Sequence, residues 1–283
     1  MRTDSRRNPH PGTPAGAGRL GWHVVLMVLV AISLGPIVFA TVGAFLSMGG
    51  LTNGDLLGSL TLDNFATITR SLPIAQITLN TLFIAAACTA FKVVTSVLAA
   101  YAFVYLEFKG KTVLYVVLIS TIFIPFTVTM IPNYLTISRL GLLDTVVGVI
   151  LPQLADASGI FLVRQAMRAI PKSLIEISHL DGVGEFRIMR DVVLPVCRPT
   201  VTATGIIFFI NAWNEYVWPT LILRSRQNFT LSLAMQVFTD TEGGVQYPLI
   251  FAMAVISMIL PVVLYLVFQR QIISTFASSG IKG

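Results

Sequence analysis

The chain has 283 residues, of which 55% are hydrophobic and only 11% charged, and its mean hydropathy is +0.81. A soluble globular domain carries about 25% charged residues, a gap too wide for a large core to explain. The formal net charge of +6 does not mark a nucleic-acid binder either, because the charges sit in a few loops and at the termini and make no continuous basic face. The apolar residues come in long runs, which describes an all-α polytopic membrane protein.

In chain order, residues 1–20 are rich in Arg, Pro and Gly, lack periodicity and read as a disordered tail. Six apolar runs follow, near 23–46, 78–106, 112–135, 143–167, 199–223 and 248–270, each close to the roughly 20 residues a spanning helix needs. The first is longer than the apolar region of a signal peptide and reads as an uncleaved anchor. Together they make a six-span domain over 21–275, with a charged loop at 168–199 and a short tail at 276–283. Pro36, Pro125, Pro132, Pro152, Pro219 and Pro261 fall within or beside the spans. Proline in lipid needs neighbouring helices or water to satisfy the carbonyls it frees, an arrangement common in channels and transporters. Cys88 lies in a span and Cys197 at the end of the charged loop, so both read as small apolar residues.

Lys and Arg set the orientation. One side takes Arg2, Arg6, Arg7 and Arg19, Lys109 and Lys111, Arg164, Arg168, Lys172, Arg187, Arg190 and Arg198 in and just before the charged loop, Arg270 and Lys282; the other takes only Arg70, Arg139, Arg224 and Arg226. Both termini and the charged loop are therefore expected in the cytoplasm.

That loop is the polar anomaly of the chain. Pro171 suits the first turn of a helix, and Ile170, Leu174 and Ile177 then fall at i, i+4 and i+7 as one apolar stripe. Gly182 breaks the run beside Asp181. A second short helix is expected to carry Phe186, Met189 and Val193 and to end at Leu194-Pro195. Two such helices around a glycine make a knob that fits a groove on a soluble partner. A solvated loop lying on the bilayer fits the same residues.

The spacing from Glu176-Ile177-Ser178 to Gly182 and on to Val192-Val193-Leu194-Pro195 resembles the cytoplasmic coupling loop of ABC importer permeases, with Ile177 and Ser178 where the family has two alanines. Asn80-Thr81-Leu82, Ala99-Ala100-Tyr101-Ala102, Trp213-Asn214-Glu215-Tyr216 and the terminal Gly280-Ile281-Lys282-Gly283 resemble the carbohydrate-type subfamily. Within it they look like the smaller, six-span partner of the maltose and glycerol-3-phosphate systems. The resemblance implies a permease subunit that pairs with a second, homologous permease, two ATP-binding subunits docked on its cytoplasmic face, and an extracellular solute-binding protein. Glu176, Ser178, Asp181, Gly182, Leu194 and Pro195 would carry the coupling, and the solute would be a sugar, an oligosaccharide or a glycerol-phosphate type. An importer for another small solute, such as an amino acid, and a self-contained secondary carrier are the alternatives.

Polar side chains inside spans are costly and usually face a bundle interior or a water-filled cavity. Asn80, Gln153, Asp156, Asn211, Asn214 and Glu215 are the candidates for a substrate pathway. Trp213 beside two hydrogen-bonding groups suits a polyol. Contacts between helices or with the partner permease fit the same residues, and Lys92 reads as a snorkelling side chain. Gly110-Lys111-Thr112 mimics a phosphate loop, but Tyr105 stands where that motif needs glycine, so no ATP cofactor is expected on this chain. His10, His23 and His179 are scattered without metal-ligand spacing, and no serine or cysteine is paired with a base.

Overall fold

The computed structural model of the chain describes residues 17–55, 59–239 and 244–280. Most of the proposed N-terminal tail, and Ile281-Lys282-Gly283 of the terminal motif, lie outside the described residues. The described residues form helices with no paired strand, only an isolated bridge between Leu46 and Leu60.

The first helix, α1 (Ala17–Ala44), begins a few residues before the expected span and presents its apolar side chains outward, from Trp22 to Phe39. Its inner end packs on the last helix, where Phe39 meets Phe251 edge to face at 5.5 Å. Two short helices, α2 (Met48–Asn53) and α3 (Asp63–Ser71), fill the following loop. The buried Asn64 amide donates to the Ala44 and Leu46 carbonyls at 2.8 and 2.9 Å, satisfying the carbonyls that the end of α1 leaves open. The central element is α4 (Ile74–Tyr105), a continuous helix of 32 residues.

The third and fourth expected spans are broken rather than straight. Helix α5 (Lys111–Ser120) runs through a tight turn to Phe123 and meets α6 (Phe126–Arg139) at 101°. Pro125 causes the break: a residue before proline is pushed into extended backbone, and Ile124 has φ −84° and ψ 113°. Helix α7 (Val146–Ile150), continued to Gln153, meets α8 (Ala157–Arg168) at 46°. Asp156 restarts the helix by accepting from the Ser158 and Gly159 amides. Among the described residues four helices are long and apolar enough to cross a membrane, or six if each bent pair is one span.

The charged segment follows as α9 (Lys172–Leu180) and α10 (Glu185–Ile188). Here the expected stop at Leu194-Pro195 is overturned. Residues Met189–Val193 form a π turn that runs directly into α11 (Leu194–Asn214), so Glu185–Asn214 is one continuous helix of 30 residues. In a regular helix the Pro195 ring would collide with the carbonyl four residues back. The wider turn shifts the ladder, with the Leu194 N–H bonding to the Met189 carbonyl, and the proline is absorbed without a break.

The fifth span also ends sooner than expected. Glu215 is extended (ψ 128°), and α12 (Val217–Ile222) is a separate element. After the four-residue α13 (Leu231–Ala234), α14 (Tyr247–Gly280) closes the chain. It carries Pro261 within it and continues through 276–280, where a tail was expected.

Two cores hold these elements together. The larger joins Ile68, Ile77 and Ile84 to Trp213, Trp218, Ile222 and Leu231. The second joins Ala100 and Tyr101 of α4 and Val163 and Met167 of α8 to Ile175, Ile188, Met189 and Val193 of the charged segment. Gly159 lets α8 approach closely: a Cβ there would strike the Phe208 ring and the Ser96 hydroxyl.

Candidate functional site

The charged segment is built as a knob fixed to the bundle. Pro171 lies one position outside the helix, at the N-cap with φ −57° and ψ 129°, rather than in its first turn. Helix α9 ends on Asp181, whose N–H bonds to the Ile177 carbonyl at 3.0 Å. The chain then reverses at Gly182 with φ 71°. The Gly182 N–H donates to the His179 carbonyl at 3.0 Å and the Val183 N–H to the Ser178 carbonyl at 3.1 Å, the pair of bonds that closes a helix through a left-handed residue.

The expected apolar stripes divide between two faces. Ile170, Ile175, Met189 and Val193 turn inward. Leu174, Ile177, Leu180 and Phe186 are 44, 57, 87 and 70% exposed. Leu194 packs on the edge of the inner core and Pro195 is exposed. Ser178 bonds back to the Leu174 carbonyl at 2.9 Å, and Glu176 is exposed on the wall of a cavity facing the ends of the spans.

Sequence reasoning missed what clamps the knob. The Tyr101 hydroxyl of α4 donates to the Glu185 carboxylate, and His179 lies 3.1 Å from the other oxygen of the same carboxylate. One acid thus ties both arms of the knob to the central span. The signal was present in Tyr101, quoted for its motif alone, and in Glu185, three residues beyond the glycine.

The polar residues of the spans are not brought to one place. Lys92 does not snorkel: its ammonium lies 3.7 Å from the Asp156 carboxylate and 5.4 Å from the Phe208 ring centre. Asp156 is both its counter-charge and the cap of α8. Asn80 donates to the Gln227 and Phe229 carbonyls, pinning α4 to the segment before α13. Gln153 bonds to Val149 of its own helix. Trp213 is 1% exposed, donates to the Ser257 carbonyl at 3.2 Å and stacks on Phe209, so its ring faces are taken up by packing. Glu215 accepts from the Tyr216 and Trp218 amides and starts α12. Asn211 and Asn214 are exposed and one turn apart, so they share a face of α11; Asn214 makes a bond within its own helix.

At the opposite end from the knob, Asp144 organises a clasp. Its backbone is left-handed (φ 58°), and its carboxylate accepts from the Arg224 and Ser225 amides at 2.9 Å each and from the Ser225 hydroxyl. The Asn228 amide donates to its main-chain carbonyl. Burial by itself would raise this carboxyl, but the donors from Ser225, Arg224 and Asn228 outweigh it and hold it well below the ordinary range. The stabilisation is therefore complete above the unfolded value of about 3.9 and is lost as pH falls below it. Asp144→Ala should lower the thermal midpoint at neutral pH, and the difference from wild type should shrink as the pH is taken below that value. Parallel melting curves across pH check this; a constant difference would remove the carboxylate from the account.

A bent multi-span bundle carrying a fixed polar knob suits a membrane transport subunit. Residues 92–276 match the family described as binding-protein-dependent transport system inner membrane component, and the chain belongs to that family. It is a membrane transport permease. It is 30% identical over 267 residues to the sn-glycerol-3-phosphate transport system permease protein UgpE of Yersinia pestis bv. Antiqua (strain Antiqua), covering 91% of this chain and 95% of that one. The protein of the same description from Salmonella typhimurium is 31% identical over the same shares. The fold is similar to a chain in the crystal structure of a bacterial ABC transporter that imports the acidic polysaccharide alginate, with a TM-score of 0.79, 21% identity, and coverage of 93% of this chain and 99% of that chain. A chain of the bacterial alginate ABC transporter in complex with a pentasaccharide-bound periplasmic protein aligns with a TM-score of 0.63 at 15% identity, over 88% and 93% of the two chains.

Proposed function

We propose that this chain is half of the pore of an ATP-driven importer for a sugar, an oligosaccharide or a glycerol-phosphate-type solute, with ATP bound and hydrolysed on separate chains. The observation that carries the reading is the outer face of the knob. Leu174, Ile177, Leu180 and Phe186 are exposed together on an otherwise polar segment, while the opposite face is locked to α4 and α8. Apolar side chains gathered on a polar surface mark a protein interface, and a short helix with a rigid back fits a groove. The occupant is an ATP-binding subunit. Its closure pushes on the knob and tilts the bundle, while a second, homologous permease completes the pore and an extracellular binding protein supplies solute. Both termini and the knob lie in the cytoplasm on this reading, as the basic residues require.

Asn211 and Asn214 are the pathway groups in this proposal, because their amides are exposed on one face of a span. Asn80, Gln153, Trp213 and Glu215 have an architectural role. The solute class rests on the names of the relatives, which are glycerol-3-phosphate permeases.

The double substitution Leu174→Asp/Ile177→Asp tests the docking face, since both side chains point away from the core. The expected result is a normally inserted permease from which the ATP-binding subunits no longer co-purify, with uptake reduced at least tenfold. Retention of those subunits and of uptake would refute the interface. Uptake that persists after the ATP-binding subunits are lost would instead favour a self-contained carrier.

A further inference from the structure

Between the knob and the ends of the spans lies a cavity of about 600 Å³, lined by the C-terminal ends of α4 and α8, the start of α5, and α9. Its volume is within the range of small-molecule sites, roughly 300–1,000 Å³. Four cations reach it, Lys111, Arg164, Arg168 and Lys172, against the carboxylates of Glu107 and Glu176.

The cations are not equivalent. Lys111 is already engaged, donating to the Leu106 carbonyl at 2.7 Å and lying 3.3 Å from Glu107. Arg164, Arg168 and Lys172 form no ion pair among the described residues. Arg164 stacks on the Tyr115 ring at 3.9 Å, and its Nε is buried with no hydrogen-bond partner. A buried donor of a charged group left without an acceptor is costly, so the site is short of an anion.

The surroundings say where that anion comes from. Helix α5 rises from the rim of the cavity and buries none of its residues; Val113, Leu114, Val116 and Val117 are more than half exposed, so acyl chains reach the rim directly. The lining itself is mixed, with Phe103, Met167 and Ile170 buried beneath the charges. Basic pockets between spans at headgroup depth are suited to anionic lipid.

We propose that this cavity binds the phosphate-bearing headgroup of an anionic phospholipid, with Arg164, Arg168 and Lys172 as its ligands and the acyl chains along α5. The lipid then bridges α8, on the bundle, to α9, on the knob. The site does not depend on which solute the permease carries, nor on the knob's partner.

The test uses the full chain, with whatever subunits co-purify, in nanodiscs of phosphatidylcholine mixed with phosphatidylglycerol, and native mass spectrometry of the retained lipids. Wild type should retain phosphatidylglycerol in preference to phosphatidylcholine. Arg168→Gln/Lys172→Gln, both exposed and outside the cores, should lose that preference by roughly tenfold or more, given what two basic residues contribute at a charged surface. Arg139→Gln/Arg226→Gln, at the other end of the bundle, should leave it unchanged. Equal retention in the first variant, or equal loss in both, would overturn the site. Displacement of phosphatidylglycerol by inorganic phosphate at modest concentration would assign the cavity to a free anion and overturn the lipid.

Discussion

Lys92→Met is expected to destabilise the protein by about 1–3 kcal/mol, the cost of stranding one member of a half-buried ion pair. The side chains of Lys92 and Asp156 are 13 and 30% exposed, so the pair is largely withdrawn from solvent. It sits at the 46° break of the fourth span, where the Thr95 hydroxyl donates at 3.2 Å to Leu154, one of the carbonyls left open by the missing helical turn. Asp156→Asn alone should cost about as much by stranding the ammonium, although asparagine keeps the cap of α8. The double variant Lys92→Met/Asp156→Asn removes both charges and should recover most of the loss. Thermal unfolding of the three proteins in the same lipid gives the coupling. Single variants as stable as wild type, or a double variant as unstable as the sum of the singles, would show that the pair does not act as one unit.

Gly182→Val is expected to abolish uptake. No atom lies near enough to obstruct a side chain there, so the whole effect is in the backbone. A left-handed conformation costs an L-residue about 1–2 kcal/mol and a β-branched one more, and φ 71° closes α9 and aims α10. The order of activity should be Gly, then Asn, then Ala, then Val, because asparagine tolerates this region best after glycine. Uptake together with co-purification of the proposed ATP-binding subunits reads the series. If valine matched asparagine, the turn would not be setting the angle of the knob.

The sequence allowed much of this to be anticipated. Gly182 between two apolar patches marked the turn of the knob, because a glycine between short apolar runs is a local signal. The π turn was not legible: Leu194-Pro195 carries the same letters whether a helix stops or widens, and only packing of Met189 and Val193 on α4 and α8 decides. The pathway candidates failed to gather for a related reason. Polarity in a span is visible in sequence, but whether an amide such as Asn80 serves a neighbouring carbonyl or a solute depends on residues 147 positions away. The Lys92–Asp156 pair joins two candidates weighed separately, and Asp144 drew no notice because its partners lie 80 to 84 positions further on.

The unbroken helix from Glu185 to Asn214 has a mechanical meaning. Thirty residues at 1.5 Å each make a rod of about 45 Å, with the clamped acid Glu185 at one end and Asn214 at the other. Had Leu194-Pro195 ended the helix, the push on the knob proposed above would have been lost in a flexible joint. As built, a tilt of about 5° at the base carries the far tip sideways by about 4 Å, enough to open or shut a passage for a small solute. The proline that reads as a stop signal is instead bridged by one wide turn, and the chain has a continuous rod where the letters suggested an end.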